Sequence, residues 1–170
     1  MSEFKNYGLT AGYLIFGITL VILALIDLDP SSLDAKTLNG FRIGCAGGLI
    51  IFGVLIAREE PLQAAVFFVT AFTFAAIVLG GVTAASVALP VLGAAYLLLA
   101  AVILLNRTPG RVLLTVLMIV VGFNMILRYA IAPDGDGVSL GSGICCIVAA
   151  ALSMYLGLAY ADPEQRLPLR

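Results

Sequence analysis

The sequence predicts an all-α integral membrane protein, a compact bundle of six transmembrane helices joined by short loops. Three observations carry this expectation. Hydrophobic residues make up 62% of the 170 residues and charged residues 11%, against about 45–50% and about 25% in soluble domains. The apolar residues gather in runs of about 20, the length at which a helix crosses the roughly 30 Å hydrocarbon layer of a bilayer. Short polar breaks separate the runs, so the whole chain, 1–170, reads as a single membrane domain.

The first span, 8–27, follows the weakly basic "MSEFKNYG" and runs into the acidic "DLDP" without a small-residue cleavage site, so it is expected to be a permanent helix rather than a removed signal. "DLDPSSLDAKT" separates it from the second span, 40–57, and "REEP" introduces the third, 62–80. The next break, around "GGVTAAS", has the weakest turn chemistry. Residues 62–105 are nevertheless too many for one crossing and right for two, which makes 85–105 the fourth span. "NRTPGR" then leads into the fifth, 112–132, and "APDGDG" into the sixth, 140–160.

With the N-terminus inside, Lys5, Arg58, Arg107, Arg111, Arg166 and Arg170 share one side of the membrane, and the opposite loops keep Lys36, with Arg42 and Arg128 near span ends. This bias predicts cytoplasmic N- and C-termini, and the plasma (cell inner) membrane is the expected location. A net charge of −1 offers no basic surface for nucleic acid. Membrane lipids are the expected surroundings.

Much chemistry is excluded. The chain has no histidine, and Cys45, Cys145 and Cys146 all lie within spans. Adjacent residues point to different sides of a helix, so Cys145 and Cys146 make no convergent site and read as small hydrophobes between helices. Phosphate-binding glycine loops, nucleophile elbows and metalloprotease helices are absent. No catalytic residue, metal or cofactor is expected, and the chain does not read as an enzyme. Passage of a small solute, or a structural role in the membrane, remains.

The polar residues inside the spans carry the functional argument. In "LTVLMIVVGFNMILRYAIAP", Leu114 to Pro133, Arg128 lies 17 residues beyond Arg111, or about 25 Å along a helix, near the outer interface. Asn124 lies one turn deeper on the same face. "TLNGFRIGCAGG" sets Asn39 and Arg42 at the same end of the second span, and Asp27 closes the first span there as the natural counter-ion. An unpaired amide or guanidinium in hydrocarbon costs on the order of several kcal/mol, so these groups should face protein or water. Two readings stay open. The groups form interfacial salt bridges or snorkel to headgroups. Alternatively, Arg42 and Arg128 attract anions to a vestibule in which Asn39 and Asn124 offer hydrogen bonds. Tyr13, Phe16 and Phe72 are candidates for an apolar constriction below it.

Small residues recur every four positions at Gly40, Gly44 and Gly48 in the second span and at Ala149, Ser153, Gly157 and Ala161 in the sixth. Such ladders let helix backbones approach closely, within one subunit or between subunits.

"FGIT" at 16–19, "IIFGVLIAREEPLQAAVFFVTAFTF" at 50–74 and the tail "GICCIVAAALSMYLGLAYADPEQRLPL" at 143–169, together with six short-looped spans, resemble the acetate uptake transporter, or succinate-acetate permease, family. The chain looks like a divergent member: where that family has an asparagine-proline-alanine-proline-leucine-glycine run near its first helix, "NYGL" stands at Asn6 to Leu9 without either proline. The resemblance implies a six-helix protomer in a homo-oligomer, a hexameric ring with one pathway per subunit, that passes short monocarboxylates with protons or by channel-like diffusion. Acid-activated urea and amide channels have a similar plan, but their tryptophans and histidine or acidic gates have no counterpart here.

The leading expectation is therefore a channel or secondary transporter for a small solute, a short monocarboxylate such as acetate, with flux rising as external pH falls. A urea- or amide-type channel and a non-transporting structural or assembly subunit are the alternatives.

Overall fold

The computed structural model describes residues 3–29, 34–106, 110–128 and 136–162, and these are helical almost throughout. Arg107, Tyr129, Asp134, Arg166 and Arg170 lie outside the described residues. The elements are α1 (Glu3–Leu28), α2 (Ala35–Ile56), α3 (Pro61–Leu105), α4 (Arg111–Ile126) and α5 (Asp136–Ala161). Five stretches, Lys5–Leu28, Lys36–Ile56, Pro61–Leu79, Val87–Leu105 and Leu140–Ala161, are long and apolar enough to cross a membrane. This is an all-α, multi-pass membrane fold.

Local chemistry marks the ends. Asp34 caps α2: its carboxylate accepts from the Lys36 and Thr37 N–H groups at 3.0 and 2.9 Å and from the Thr37 hydroxyl at 2.5 Å. These bonds, those to Thr37 foremost, hold the Asp34 carboxyl below the usual carboxylate range. Pro61 opens α3, where a missing N–H costs nothing. Gly110 precedes α4 at φ 71°, a left-handed conformation that suits glycine. At its far end α4 widens into a π turn at Leu127 and Arg128.

The expected break at "GGVTAAS" has a different form from a loop. Backbone hydrogen bonding stays helical from Pro61 to Leu105, yet the Tyr96 hydroxyl donates to Thr70 Oγ1 at 2.9 Å across 26 residues of sequence. A straight helix would hold those residues about 39 Å apart. The element therefore doubles back on itself, with a first limb over 61–79 and a second over 87–105. Gly80 and Gly81 weaken the helix between the limbs, and Pro90 withdraws the N–H that would bond the Ser86 carbonyl.

The six limbs close into a ring. Gly8 lies against Ile56 and Gly48 against Ile15, joining α1 to α2; Gly53 lies against Phe68, joining α2 to the first limb of α3. Tyr96 and Thr70 join the two limbs. Gly93 faces Gly122 so closely that a Cβ on either would sit 2.8 or 2.7 Å from the other's carbonyl oxygen, which sets the second limb against α4. Asn124 and Cys146 join α4 to α5. Ser153, donating to the Tyr13 carbonyl at 2.8 Å, and Gly157, against Thr10 and Leu14, return α5 to α1 in antiparallel register. Both described ends of the chain thus lie at one end of the bundle, called here the terminal end.

The two small-residue ladders differ in use. Ser153 and Gly157 let α5 close on α1 within the chain. Gly40 and Gly44 have nothing within 4 Å of a Cβ placed on them, and only Gly48 touches another helix. Gly40 and Gly44 therefore lie on the outer face of α2 and make no close packing within the protomer.

Candidate functional site

The inward face of α1 carries Leu9, Tyr13, Phe16, Leu20, Ala24 and Asp27, all buried and spaced at three or four residues. This stripe follows the axis of the ring from the terminal end to the opposite, far end. At the far end the axis widens into a cavity of about 80 Å³. One water needs about 10–15 Å³ of such space, so several waters or a solute of a few heavy atoms fit.

All six limbs contribute to the cavity wall. Leu20, Leu23 and Asp27 come from α1, Arg42 from α2, Thr73, Phe74 and Ile77 from the first limb of α3, Leu89 from the second, Asn124 and Arg128 from α4, and Ser142, Cys145 and Cys146 from α5. The up-and-down order of the limbs brings these ends together: α1, the first limb and α4 finish here, whereas α2, the second limb and α5 begin.

The polar groups of the wall are organised by Asp27. Arg128 forms an ion pair with Asp27 through Nη1, and the Ser142 hydroxyl donates to the other carboxylate oxygen at 2.6 Å. Arg128 Nη1 also reaches Ser142 Oγ at 3.3 Å. The Asp27 side chain is 6% exposed and that of Arg128 30%, so the carboxylate is buried and the guanidinium opens toward the mouth. Arg42 donates to Asn39 Oδ1 at 3.4 Å. The charged side chains of the wall are two guanidinium groups, of Arg42 and Arg128, and the Asp27 carboxylate. Asn124 donates from Nδ2 to Cys146 Sγ at 3.5 Å, and its Oδ1 is buried without a hydrogen-bond partner among the described residues. An amide oxygen so placed can accept an N–H or O–H from a molecule in the cavity.

Four of the residues singled out from sequence, Asp27, Arg42, Asn124 and Arg128, thus surround one space. Asn39 stands beside Arg42 and outside the lining. Tyr13 and Phe16 are buried in the core below. Phe72 is 73% exposed on the outside of the bundle, because Thr70, Ala71, Thr73 and Phe74 take the inward positions of that helix. Its place in a constriction is corrected.

Below the cavity the axis is filled. The Tyr13 ring meets Phe67 edge-on at 5.0 Å and stacks on Tyr160 at 5.9 Å, with Phe16 and Phe74 buried above. At the terminal end Lys5 pairs with Glu60. Sequence reasoning passed over Ser142, Gln63 and Tyr160. A lone glutamine in the apolar run "PLQAAVFF" was the available signal, since an intramembrane amide requires a partner. Among the described residues, no cluster of side chains suits a metal ion.

No protein-family profile matches this chain, and no curated protein matches it. A structure of the bacterial acetate channel SatP superposes with a TM-score of 0.69 over 94% of this chain and 93% of that one, at 19% sequence identity. The chain therefore has the all-α membrane fold in which that acetate channel is built.

Proposed function

We propose that this protein is a membrane channel or secondary transporter for a small solute, a short monocarboxylate such as acetate. The observation that carries the reading is the axial cavity, walled by every limb of the ring and lined by Arg42, the Asp27–Arg128 pair and the Asn124 amide. The guanidinium groups of Arg42 and Arg128 offer N–H donors to a carboxyl group at the mouth. Beyond it the aromatic filling excludes water, and an isolated carboxylate there is very costly to bury. The solute crosses as the neutral acid, whose O–H the Asn124 oxygen accepts, so influx carries a proton. The fold shared with an acetate channel supports the same reading.

The termini face the cytoplasm of a plasma (inner) membrane in this account. The open face of α2 around Gly40 and Gly44 supports a homo-oligomer, a hexamer in the family that the sequence resembles.

A second reading is favoured by Asn124 alone. Its oxygen accepts an amide N–H as readily as an acid O–H, which suits urea or a primary amide. Uptake by reconstituted liposomes of acetate, urea and acetamide, against protein-free liposomes, tests both. Acetate entry above the protein-free rate supports the first reading, and entry of urea or acetamide alone supports the second. Entry of none, with folded protein, leaves a structural subunit.

A further inference from the structure

Where the axis approaches the terminal end, three side chains from three elements meet. The Tyr13 hydroxyl of α1 donates to Gln63 Oε1 at 3.0 Å, and Gln63 Nε2 of the first α3 limb donates to the Tyr160 hydroxyl of α5 at 2.8 Å. Among the described residues no Cα of α3 comes within 8 Å of one of α5. The Gln63–Tyr160 bond therefore crosses the interior between helices whose backbones stand apart. Gln63 is fully buried, as is Tyr13. Ser153 fixes the Tyr13 backbone, and the Lys5–Glu60 pair, three residues before Gln63, holds the same end of the bundle. Tyr13 lies seven residues below Leu20, the deepest α1 residue of the cavity, or about 10 Å along the helix.

We propose that Tyr13, Gln63 and Tyr160 form an exchangeable hydrogen-bond bridge across the axis, opened by solutes that present a carbonyl acceptor beside an N–H or O–H donor. This rests on the reading of the axis as a solute path. The chemistry follows from the bridge itself. Gln63 offers its carbonyl to one tyrosine and its N–H to the other. A neutral carboxylic acid or a primary amide presents the same acceptor and donor on one carbon, so it takes over both bonds as it enters and leaves no buried hydroxyl unpaired. A solute that offers only an acceptor or only a donor breaks two buried bonds and restores one.

The test reads the bridge without relying on transport. In protein whose only cysteine is Cys145, at the cavity wall, with Cys45 and Cys146 replaced by alanine, a membrane-impermeant methanethiosulfonate is applied from the terminal side in vesicles of defined orientation. With Gln63 intact, Cys145 is protected from that side. Gln63→Ala should raise its modification rate at least tenfold, and Tyr160→Phe, which removes one hydroxyl and keeps the ring, should raise it too. Unchanged rates in both folded variants would overturn the bridge, even if the intact protein moves acetate. Faster labelling without flux of any solute would retain the bridge as a closure and remove the transport reading instead. In a protein that does move solutes, Gln63→Ala should also admit N,N-dimethylformamide, whose carbonyl has no N–H or O–H beside it. Continued exclusion of that amide would overturn the selective role.

Discussion

The Asp27 carboxylate of α1 is held from two other helices at once, by the Arg128 guanidinium of α4 and the Ser142 hydroxyl of α5. The three helices meet there at the far end of the ring, and the pair forms part of the cavity wall.

Removing one member of this pair leaves the other inadequately paired. Arg128→Ala should lower stability by about 1–3 kcal/mol, below the roughly 3–5 kcal/mol seen for fully buried pairs, because the guanidinium is partly exposed. Asp27→Asn together with Arg128→Gln should cost less than the sum of the single changes. Thermal unfolding in detergent of the parent, Arg128→Ala, the two single changes and the double change checks this, and additive effects in the Asn/Gln cycle would mean that the two groups are not coupled.

Glycines that look alike in sequence should differ sharply in effect. Gly93→Ala and Gly122→Ala each drive a Cβ into the facing carbonyl oxygen and should destabilise by about 1–3 kcal/mol, as overpacking does. Gly40→Ala and Gly44→Ala meet open space in the protomer and should raise its stability by up to about 1 kcal/mol through helix propensity. If copies pack through this face of α2, the same two changes should lower the oligomer mass measured by native mass spectrometry in mild detergent. Unfolding temperatures and mass together separate the cases.

Asp34 predicts a pH effect at the start of α2. Its carboxyl is held below the usual range by the Thr37 and Lys36 bonds, so the cap is fully in place above the ordinary carboxylate range and is lost as pH falls through the lowered value. Amide exchange at Thr37 should accelerate, beyond its intrinsic pH dependence, as pH drops below that range. Asp34→Ala should exchange faster at neutral pH and show little further loss of protection in acid.

Phe72→Ala should leave solute flux within about twofold of the parent, as expected for an outward side chain. Tyr13→Ala, at the centre of the axial filling, should change flux severalfold. Liposome uptake measured side by side checks the contrast.

The sequence was most legible where one helix decides the outcome. Length and composition indicate membrane helices, and spacing puts Asn124 and Arg128 on one face. Placing both arginines with Asp27 needed only the depth of each residue along its own span. What one helix leaves open is its rotation against its neighbours. Phe68 and Phe72 share a face by spacing, but Phe72 points outward once the threonine-bearing side of that limb turns toward the second limb and Tyr96. The pairing of Gly93 with Gly122 depends on the crossing of two helices, and each glycine is isolated in its own segment. Gln63 stands out in sequence as an amide in an apolar run, but its partner is visible only when α5 brings Tyr160 across the axis. The turn near residue 80 was inferred from length alone, and its helical form has no loop signal to announce it.

Passage of the neutral acid along this axis is tested by the initial rate of acetate uptake into proteoliposomes as external pH is lowered at fixed total acetate, after subtraction of the protein-free rate. The protein-dependent rate should rise as pH falls and drop at least fivefold in Asn124→Leu. A protein-dependent rate that is flat with pH and unaltered by that substitution would rule this passage out.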